Sequence, residues 1–374
     1  MNIAFITRTV FGALGTSASY MLPAYANEKH NVLVLSPNDP KSGETVVYEN
    51  PDLDVIDTYH PNCQQQLANT AHALGNFRPD VIHLFYHKTC HQYPVMLRHL
   101  LPNARWIVDF RSPLMIFQKG RQSRLMLRWK AFFLQFFVDS ITATSKSILK
   151  THLPLRLRPY SKLPFGIDLN AFPNPRQGGL PSEGAKRFVF AGNIAKARRL
   201  PLLVRGFKAF LRQSNAEALL DIYGTGNGMN ELRRTVHNEN LESVVNLKGI
   251  EPQPELFKKL CSYDAGIAYV PNQQLDVAPS LKALEFAAAG LPVVASDTLG
   301  HRASAAKDGM QLILFKNNIQ DMADSLHHVY NKGISPEVIS ANRQAVSRFD
   351  WHTIVEKDLL PAYASAMRKK TGNT

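Results

Sequence analysis

Short apolar runs alternate with longer amphipathic stretches along almost the whole chain. Strands are predicted at residues 2–7, 31–35, 53–57, 80–85, 105–110 and 139–144, and then at 187–192, 218–223, 243–247, 265–270, 292–295 and 311–314. Helical stretches, the first at 17–27, separate most of these runs. Strands that are apolar along their whole length are typical of parallel sheets covered by helices on both faces. The pattern therefore predicts an α/β protein.

A polar stretch at residues 164–186, crowded with proline and glycine, interrupts the alternation. This composition is typical of a linker between domains. We therefore predict Rossmann-like domains at residues 1–168 and 169–348, and a C-terminal helix within 349–374 that packs back across them. Ligands of such sheets bind beyond the carboxyl ends of the strands, so we expect a site in a cleft between the domains.

The composition of the 374 residues excludes several classes of protein. Hydrophobic residues make up 45% and charged residues 20%, which is ordinary for a globular chain. The three cysteines lie far apart and form no CxxC pair, so neither a disulfide framework nor a cysteine zinc site is expected. No signal peptide or membrane-spanning run is evident. We expect a cytoplasmic protein, either soluble or peripheral on the inner face of the membrane.

The segment PSLKALEFAAAGLPVVAS at residues 279–296 carries the most informative chemistry. Ser280 is a good N-cap and Gly290 is a natural helix stop. The free N–H groups at the helix start suit a phosphate. Lys282 lies in the first turn, where a cation is unfavourable unless an anion is bound, and Glu285 follows one turn later. An ordinary crossover helix with a surface Lys–Glu pair would explain these residues equally well.

A second segment, FAGNIAKARRL at residues 190–200, follows a predicted strand and opens a helix. Gly192 permits a tight turn and close approach of a ligand. Lys196, Arg198 and Arg199 supply charges that could hold a diphosphate. The alternative interpretation is a solvated basic helix start.

A third segment, YGTGNG at residues 223–228, places Gly224 and Gly226 after a predicted strand. Its spacing is not GxGxxG, and no acidic residue ends the next strand, which argues against a dinucleotide site.

Together these segments resemble the retaining glycosyltransferases of the GT4-like family, glycosyl transferases group 1. The resemblance covers about residues 160–315, including LPFGID at 163–168, which is similar to the family's hinge. It implies a GT-B fold, two Rossmann-like domains that face each other across a cleft. It also implies a nucleotide-sugar donor, UDP- or GDP-linked, held by the C-terminal domain, an acceptor held by the N-terminal domain, retention of configuration, and neither a catalytic metal nor another cofactor.

The resemblance also implies roles for individual residues. Glu285 would hold the ribose hydroxyls, and Lys196 with Arg198 or Arg199 would balance the leaving diphosphate. The family's commonest motif has a second glutamate where this chain has Val277, but Pro279 and Lys282 match a variant form. The donor-binding set predicted in this way is Gly12, Gly15, Gly192, Asn193, Arg199, Gly224, Gly226, Ser280, Leu281, Lys282 and Glu285.

The N-terminal half offers further candidates. Asp109 and Arg111 end a buried strand, where many relatives carry a histidine–aspartate pair. We predict that they orient the donor sugar or the acceptor hydroxyl, with a structural role in capping the loop as the alternative. His83 and His87 are expected to line the cleft. With His91 they are spaced by four, but a predicted strand end breaks the helical geometry that a metal site would need.

Another candidate metal motif is Asp52-Leu-Asp54, a DxD motif of the kind that binds metal in the other glycosyltransferase fold. We interpret it as structural because it sits at a strand start.

Charge is concentrated in one segment of a chain whose net charge is +13. Between Arg111 and Lys162 there are eleven lysines and arginines and a single acidic residue, Asp139. A helical stripe is basic, while Leu125, Trp129, Phe132, Phe133, Phe136 and Phe137 fill another face. We interpret this as a helix that packs its apolar face on the core. The alternative is contact with an anionic membrane surface through Arg121, Arg124, Arg128 and Lys130.

The leading hypothesis is a glycosyltransferase that acts on a glycan acceptor in polysaccharide or glycoconjugate synthesis. The acceptor would be lipid-linked if the basic helix meets a membrane, and no nucleic acid partner is expected. Two rivals stand beside it. A GT-B sugar-nucleotide epimerase would form its product without an acceptor. A non-enzymatic basic binder of membrane or nucleic acid would show no affinity for nucleotides.

Overall fold

The computed structural model describes residues 1–7, 10–13, 18–40, 49–87, 89–114, 121–173, 175, 185–271 and 280–368. The chain divides into two compact units. The first unit comprises Met1–Gly166 and Trp351–Thr374, and the second comprises Ile167–Asp350.

Thirteen strands are present among the described residues: β1 Asn2–Ile6, β2 Asn31–Ser36, β3 Asp54–Asp57, β4 Val81–Phe85, β5 Arg105–Phe110, β6 Ser140–Ala143, β7 Tyr160–Lys162, β8 Lys186–Ala191, β9 Ala218–Tyr223, β10 Val245–Gly249, β11 Ala265–Ala268, β12 Val293–Ser296 and β13 Ile313–Phe315. All twelve predicted strands are confirmed, with ends within two residues of the expected ones. Strand β7 was not predicted, because it has only three residues and its Tyr-Ser-Lys sequence contains no apolar run.

The same part of the chain contains helices α1 Ala18–Asn27, α2 Cys63–Phe77, α3 Gln92–Leu97, α4 Arg121–Leu134, α5 Lys146–His152, α6 Leu200–Ser214, α7 Met229–Asn238, α8 Gln253–Leu260, α9 Leu281–Ala288, α10 Leu299–Asp308, α11 Ile319–Lys332, α12 Pro336–Ser347, α13 Trp351–Ile354 and α14 Leu360–Arg368. One π-helical turn, Val355–Leu359, joins α13 to α14. None of these helices is long and apolar enough to cross a bilayer.

Each unit is built on one parallel sheet. The strand order is β3-β2-β1-β4-β5-β6-β7 in the first unit and β10-β9-β8-β11-β12-β13 in the second. In both sheets the order reverses beside the first strand of the unit, which is the arrangement of a doubly wound Rossmann-like domain. The two Rossmann-like domains expected from the sequence are therefore confirmed. In such sheets, ligand-binding loops gather at the carboxyl ends of the strands.

The C-terminal segment belongs to the core of the first unit. Trp351, Ile354, Leu359 and Tyr363 are at most 1% exposed and pack in one cluster with residues of β1, β2 and α1. A Cβ atom on Gly166 would lie 2.4 Å from the Trp351 indole. The chain thus passes so close to the indole that residue 166 has no room for a side chain.

Helix α4 departs from its predicted packing. The helix buries Ala131 and Leu134, but Trp129 and Phe133 are 52% and 55% exposed. The expectation that its aromatic face packs on the core was therefore wrong for Trp129 and Phe133, whereas Phe132 does pack against the core. Aromatic residues at helical spacing indicate that a helix has an apolar face, but they do not identify what covers that face.

We expect Gly166→Ala to lower the unfolding free energy of the first unit by about 1–3 kcal/mol, the usual effect of overpacking a tight core. The matched control is Gly75→Ala, which lies in α2 with nothing within 4 Å of the new Cβ. This control should raise stability by up to about 1 kcal/mol through helix propensity. Urea unfolding followed by tryptophan fluorescence measures both, since all three tryptophans belong to this unit. Equal effects of the two substitutions would contradict the packing argument.

Candidate functional site

The loops after three neighbouring strands interlock at the carboxyl edge of the second sheet. The Gly192 N–H donates to the Tyr223 carbonyl at 3.0 Å, and the Ile194 N–H donates to the Thr225 carbonyl at 2.8 Å. The Gly224 N–H in turn donates to the Gly249 carbonyl at 2.6 Å. The segments singled out at 190–200 and 223–228 are therefore adjacent in the fold.

Glycine is required where these loops touch. Gly224 has φ +125°, and a Cβ atom there would lie 1.9 Å from the Gly192 carbonyl oxygen. At Gly226 the same atom would lie 2.6 Å from the Ile194 carbonyl oxygen. The glycine run after β9 is thus explained by backbone packing against the loop after β8, with no ligand needed to account for it.

Lys282 reaches this edge from the start of α9. Its side chain lies so close to Gly192 that a Cβ on the glycine would be 2.4 Å from Cε and 2.7 Å from Nζ. The Lys282 Nζ also lies 5.6 Å from the centroid of the Phe190 ring. Ser280 is the N-cap residue as predicted, but its side chain makes no capping hydrogen bond. Gly290, with φ +78°, ends the helix as expected.

The charged groups around Lys282 are partly or fully buried: Lys282 and Arg198 are partly exposed, and Glu285 is buried. Burial lowers the pKa of the Lys282 ammonium, the nearby Arg198 lowers it further, and Glu285 opposes both effects. Burial raises the pKa of the Glu285 carboxyl, which Lys282 opposes, and the Glu285 residue is 8% exposed. Burial also lowers the pKa of Arg198. A partly buried lysine at the start of a helix, together with Arg198 from the turn after β8, would be stabilised by a bound anion.

The remaining predicted residues of the second unit lie in the turn after β8 and at the start of α9. Lys196, Arg199 and Asn193 are exposed, and Leu281 is partly exposed. The Lys196 N–H donates to Asn227 Oδ1 at 2.9 Å, which anchors the basic turn to the glycine-rich loop. Charges on this turn are therefore available to a ligand in solution.

In the first unit, polar residues cluster around the buried Asp109. The Asp109 Oδ1 atom accepts a hydrogen bond from Thr142 Oγ1 at 2.9 Å. The Asp109 Oδ2 atom lies 3.5 Å from His83 Nε2 and 3.6 Å from Arg111 Nη1. On the other side of the imidazole, Tyr363 Oη lies 3.0 Å from His83 Nδ1. This Asp109 cluster joins β4, β5 and β6 to the C-terminal helix α14.

The contacts of this cluster correct one prediction. His83 is 0% exposed, so the expectation that it lines a cleft was wrong. Asp109 is also 0% exposed, and the Arg111 guanidinium donates to the Leu163 and Pro164 carbonyls at 2.7 and 2.9 Å. These contacts are those of the loop-capping alternative, in which Asp109 and Arg111 position the chain.

The pKa shifts within the Asp109 cluster also indicate a positioning role for Asp109. Burial by itself would raise the pKa of Asp109, but Arg111, His83 and Thr142 together bring it below its ordinary value. Burial and the Asp109 charge raise the pKa of Tyr363. Asp109 is thus held as a carboxylate by partners from three elements.

The other predicted residues of the first unit lie apart from this cluster. Gly12, with φ +82°, occupies the turn closed by the Ala13 N–H and the Val10 carbonyl, while Gly15 lies outside the described residues. His87 is partly exposed, and its Nδ1 lies 3.0 Å from Thr89 Oγ1. Among the described residues, no three His, Cys, Asp or Glu side chains come together as metal ligands.

Two members of the Asp109 cluster were missed by the sequence analysis. Thr142 stands opposite Asp109 in the register of β5 and β6, so aligning the ends of the predicted strands would have located it to within one residue. Tyr363 carries no such signal, since it is 280 residues from His83 in the chain.

We expect Asp109→Asn to lower the unfolding free energy of the first unit by about 3 kcal/mol near neutral pH, because Arg111 and His83 lose the carboxylate they surround. The folded-state pKa is depressed, so the stabilisation is present above the unfolded pKa of about 3.9 and is lost as pH falls through the folded pKa. The difference between parent and variant should therefore shrink below about pH 4. Urea unfolding across this range measures the difference, with the exposed Asp54→Asn as control. If the difference in unfolding free energy between parent and variant did not change with pH, the stabilisation would not come from the charge of the Asp109 carboxylate.

The second unit is similar to a known protein family. Residues 172–346 match the family model described as Glycosyl transferases group 1. A D-inositol 3-phosphate glycosyltransferase from Nocardiopsis dassonvillei is 28% identical over 195 residues, which cover 48% of this chain. The match spans 44% of that protein, so this chain covers less than half of the relative's length.

Solved structures resemble the chain over almost its full length. Sucrose-phosphate synthase from Thermosynechococcus elongatus has a TM-score of 0.74 at 16% identity, covering 98% of this chain and 99% of its own. HepE from Anabaena in complex with UDP has a TM-score of 0.71 at 15% identity, covering 98% and 100%. At these identities the likeness concerns the fold. The chain therefore has the two-domain GT-B fold, and residues 172–346 are similar to the glycosyl transferases group 1 family.

Proposed function

We propose that the protein is a glycosyltransferase that moves a sugar from a nucleotide-sugar donor to a glycan acceptor. The observation that carries this proposal is the arrangement of Lys282, Arg198 and Glu285 at the start of α9. Lys282 and Arg198 are both partly buried, the Arg198 charge lowers the pKa of Lys282, and Glu285 raises it. A diphosphate would supply the missing negative charge.

The chemistry of transfer explains why the charges lie at this place. The bond between the anomeric carbon and the phosphate oxygen breaks, and the nucleoside diphosphate leaves with the bonding electrons. Lys282 and Arg198, with Lys196 or Arg199 from the exposed turn, would stabilise the charge that develops on the leaving group. Positive side chains and a helix start can thereby take the electrostatic part that a metal ion takes in other transferases.

Glu285 would hold the ribose hydroxyls of the donor. Its carboxylate makes no hydrogen bond to any described residue, and burial raises its pKa, so hydroxyl donors from a ligand would stabilise its charged form. UDP is the first candidate for the donor nucleotide, since HepE, which shares the fold, is described in complex with UDP. We further propose that the anomeric configuration is retained, in keeping with the family resemblance at residues 279–296.

The binding test uses purified protein and a panel of UDP, GDP and ADP, each with and without magnesium. One of them at about 100 times its Kd should stabilise the protein by about 2.7 kcal/mol, seen as a raised Tm. We expect Glu285→Ala to lose this shift because the ribose contact is removed. Glu255→Ala, an exposed carboxylate on α8 of the same unit, is the matched control.

Two outcomes would contradict the proposal. One is a folded protein that no nucleoside diphosphate stabilises. The other is an unchanged shift in Glu285→Ala. If binding holds, incubation of the donor with and without a glycan acceptor separates a transferase from an epimerase, and the anomeric configuration of the product tests retention.

A pH dependence of binding follows from Lys282. An anion binds the protonated ammonium, so affinity should be full below the lowered pKa of Lys282 and fall as pH rises through it, well below the 10.5 of an ordinary lysine. Titration calorimetry with the stabilising nucleotide over this range measures the effect. Lys282→Arg keeps its charge and should bind with little dependence on pH. The same decline in the parent and in Lys282→Arg would rule out Lys282 as the group responsible.

A further inference from the structure

Helix α4 and the turn after it present a wide apolar stripe to solvent. Its large side chains are between 52% and 59% exposed, and they are Leu125, Met126, Trp129, Phe133 and Phe136. Leu125, Trp129 and Phe133 are spaced by four residues, so they lie on one face of the helix. Single exposed apolar residues are common on soluble proteins, but a contiguous set of this kind marks an interaction surface.

The stripe is ordered by its own contacts and by a neighbouring segment. The rings of Trp129 and Phe133 stack with centroids 5.8 Å apart. Gln135 is 1% exposed and binds the adjacent segment on both sides: its Nε2 donates to the Leu155 carbonyl at 3.2 Å, and its Oε1 accepts from the Leu157 N–H at 2.7 Å. Leu155 and Leu157 are themselves 58% and 47% exposed, so they extend the stripe.

The surroundings of this apolar surface are basic. Arg124, Lys150 and Arg156 are exposed, and Lys130 is partly exposed. Asp139, the only acidic residue between Arg111 and Lys162, is engaged elsewhere. Its carboxylate accepts hydrogen bonds from Arg98 at 2.8 and 3.0 Å and from the Trp106 N–H at 2.8 Å. The rim of the stripe therefore carries positive charge that no carboxylate of its own segment offsets.

We propose that this surface docks on an anionic lipid bilayer. The apolar side chains enter the interface between headgroups and acyl chains, where tryptophan is favoured. Arg124, Lys130 and Arg156 contact the lipid phosphates. This surface differs from the purely basic stripe of the sequence analysis, because the Arg128 Nε donates to the Thr151 carbonyl at 3.0 Å and the apolar side chains carry the contact.

Two other occupants, a second copy of the chain and a single-stranded nucleic acid, fit this surface less well than a bilayer does. A second copy of the chain would bring two basic rims together, which like-charge repulsion opposes. Single-stranded nucleic acid would use the aromatic rings as stacking platforms, but it would leave Leu125, Met126, Leu155 and Leu157 without an apolar partner. A bilayer satisfies both the apolar stripe and its positive rim.

The protein carries its own probe for the experiment. Trp106 and Trp351 are 0% and 1% exposed, whereas Trp129 is 52% exposed. We expect vesicles of phosphatidylcholine mixed with phosphatidylglycerol to shift the tryptophan emission to the blue and to carry the protein down on sedimentation. Vesicles of phosphatidylcholine alone should bind much less. No donor or acceptor is added, so the result does not depend on transferase activity.

Variants separate the contribution of apolar contact to vesicle binding from the contribution of charge. Trp129→Phe should still sediment with the vesicles but lose the blue shift. Phe133→Glu combined with Leu125→Glu should reduce partitioning by about tenfold or more, because charge is placed where apolar contact is needed. Ile250→Glu, which replaces a 75% exposed apolar residue of the second unit, is the matched control and should bind as the parent does. Arg124→Glu and Arg156→Glu should each weaken binding to anionic vesicles by about fivefold or more.

Four results would overturn the proposal. The first is a folded protein that does not bind anionic vesicles. The second is equal binding to neutral and anionic vesicles. The third is a blue shift that grows with protein concentration in the absence of lipid, which would assign the surface to self-association. The fourth is a shift on addition of a single-stranded oligonucleotide with none on addition of vesicles.

Discussion

The close approach of two backbone loops at the carboxyl edge of the second sheet governs the candidate site. The Gly192 carbonyl occupies the space that a side chain at residue 224 would need. Hydrogen bonds from Gly192 to Tyr223 and from Ile194 to Thr225 hold the loops in this position. Because residue 192 itself has no side chain, the end of Lys282 can lie against it. The position of one cation thus depends on glycines in two different loops.

Burial changes the pKa values of the charged groups at this site. On a fully exposed surface, a lysine beside an arginine and a glutamate would keep a pKa close to its ordinary value. Here the pKa of Lys282 falls and that of Glu285 rises, because water no longer stabilises either charge. The same loss of hydration strengthens the attraction between these cations and an incoming anion. The burial that shifts these pKa values is also what supports the proposal of a diphosphate ligand.

The first unit uses the same topology with a different outcome. Its polar residues near the strand ends pair with one another, so that Asp109 faces Thr142, His83 and Arg111. Tyr363 extends the cluster to the C-terminal helix through His83. These contacts of Asp109 connect β4, β5 and β6. Polar groups near the ends of parallel strands therefore pair with one another in the first unit, whereas in the second unit we propose that they bind a ligand.

The sequence by itself determined the elements and the segments that carry the chemistry. Buried parallel strands are apolar runs, so their positions could be predicted to within two residues, and the glycine and lysine positions at 190–200 and 279–296 stood out by composition. The sequence could not show that His83 is buried or that Trp129 is exposed. The spacing of residues shows which side chains share one face of an element, but not what packs against that face. Nor could the sequence find Tyr363, whose partner is 280 residues away. Only the tertiary structure brings such residues together, since contacts between distant segments leave no local pattern.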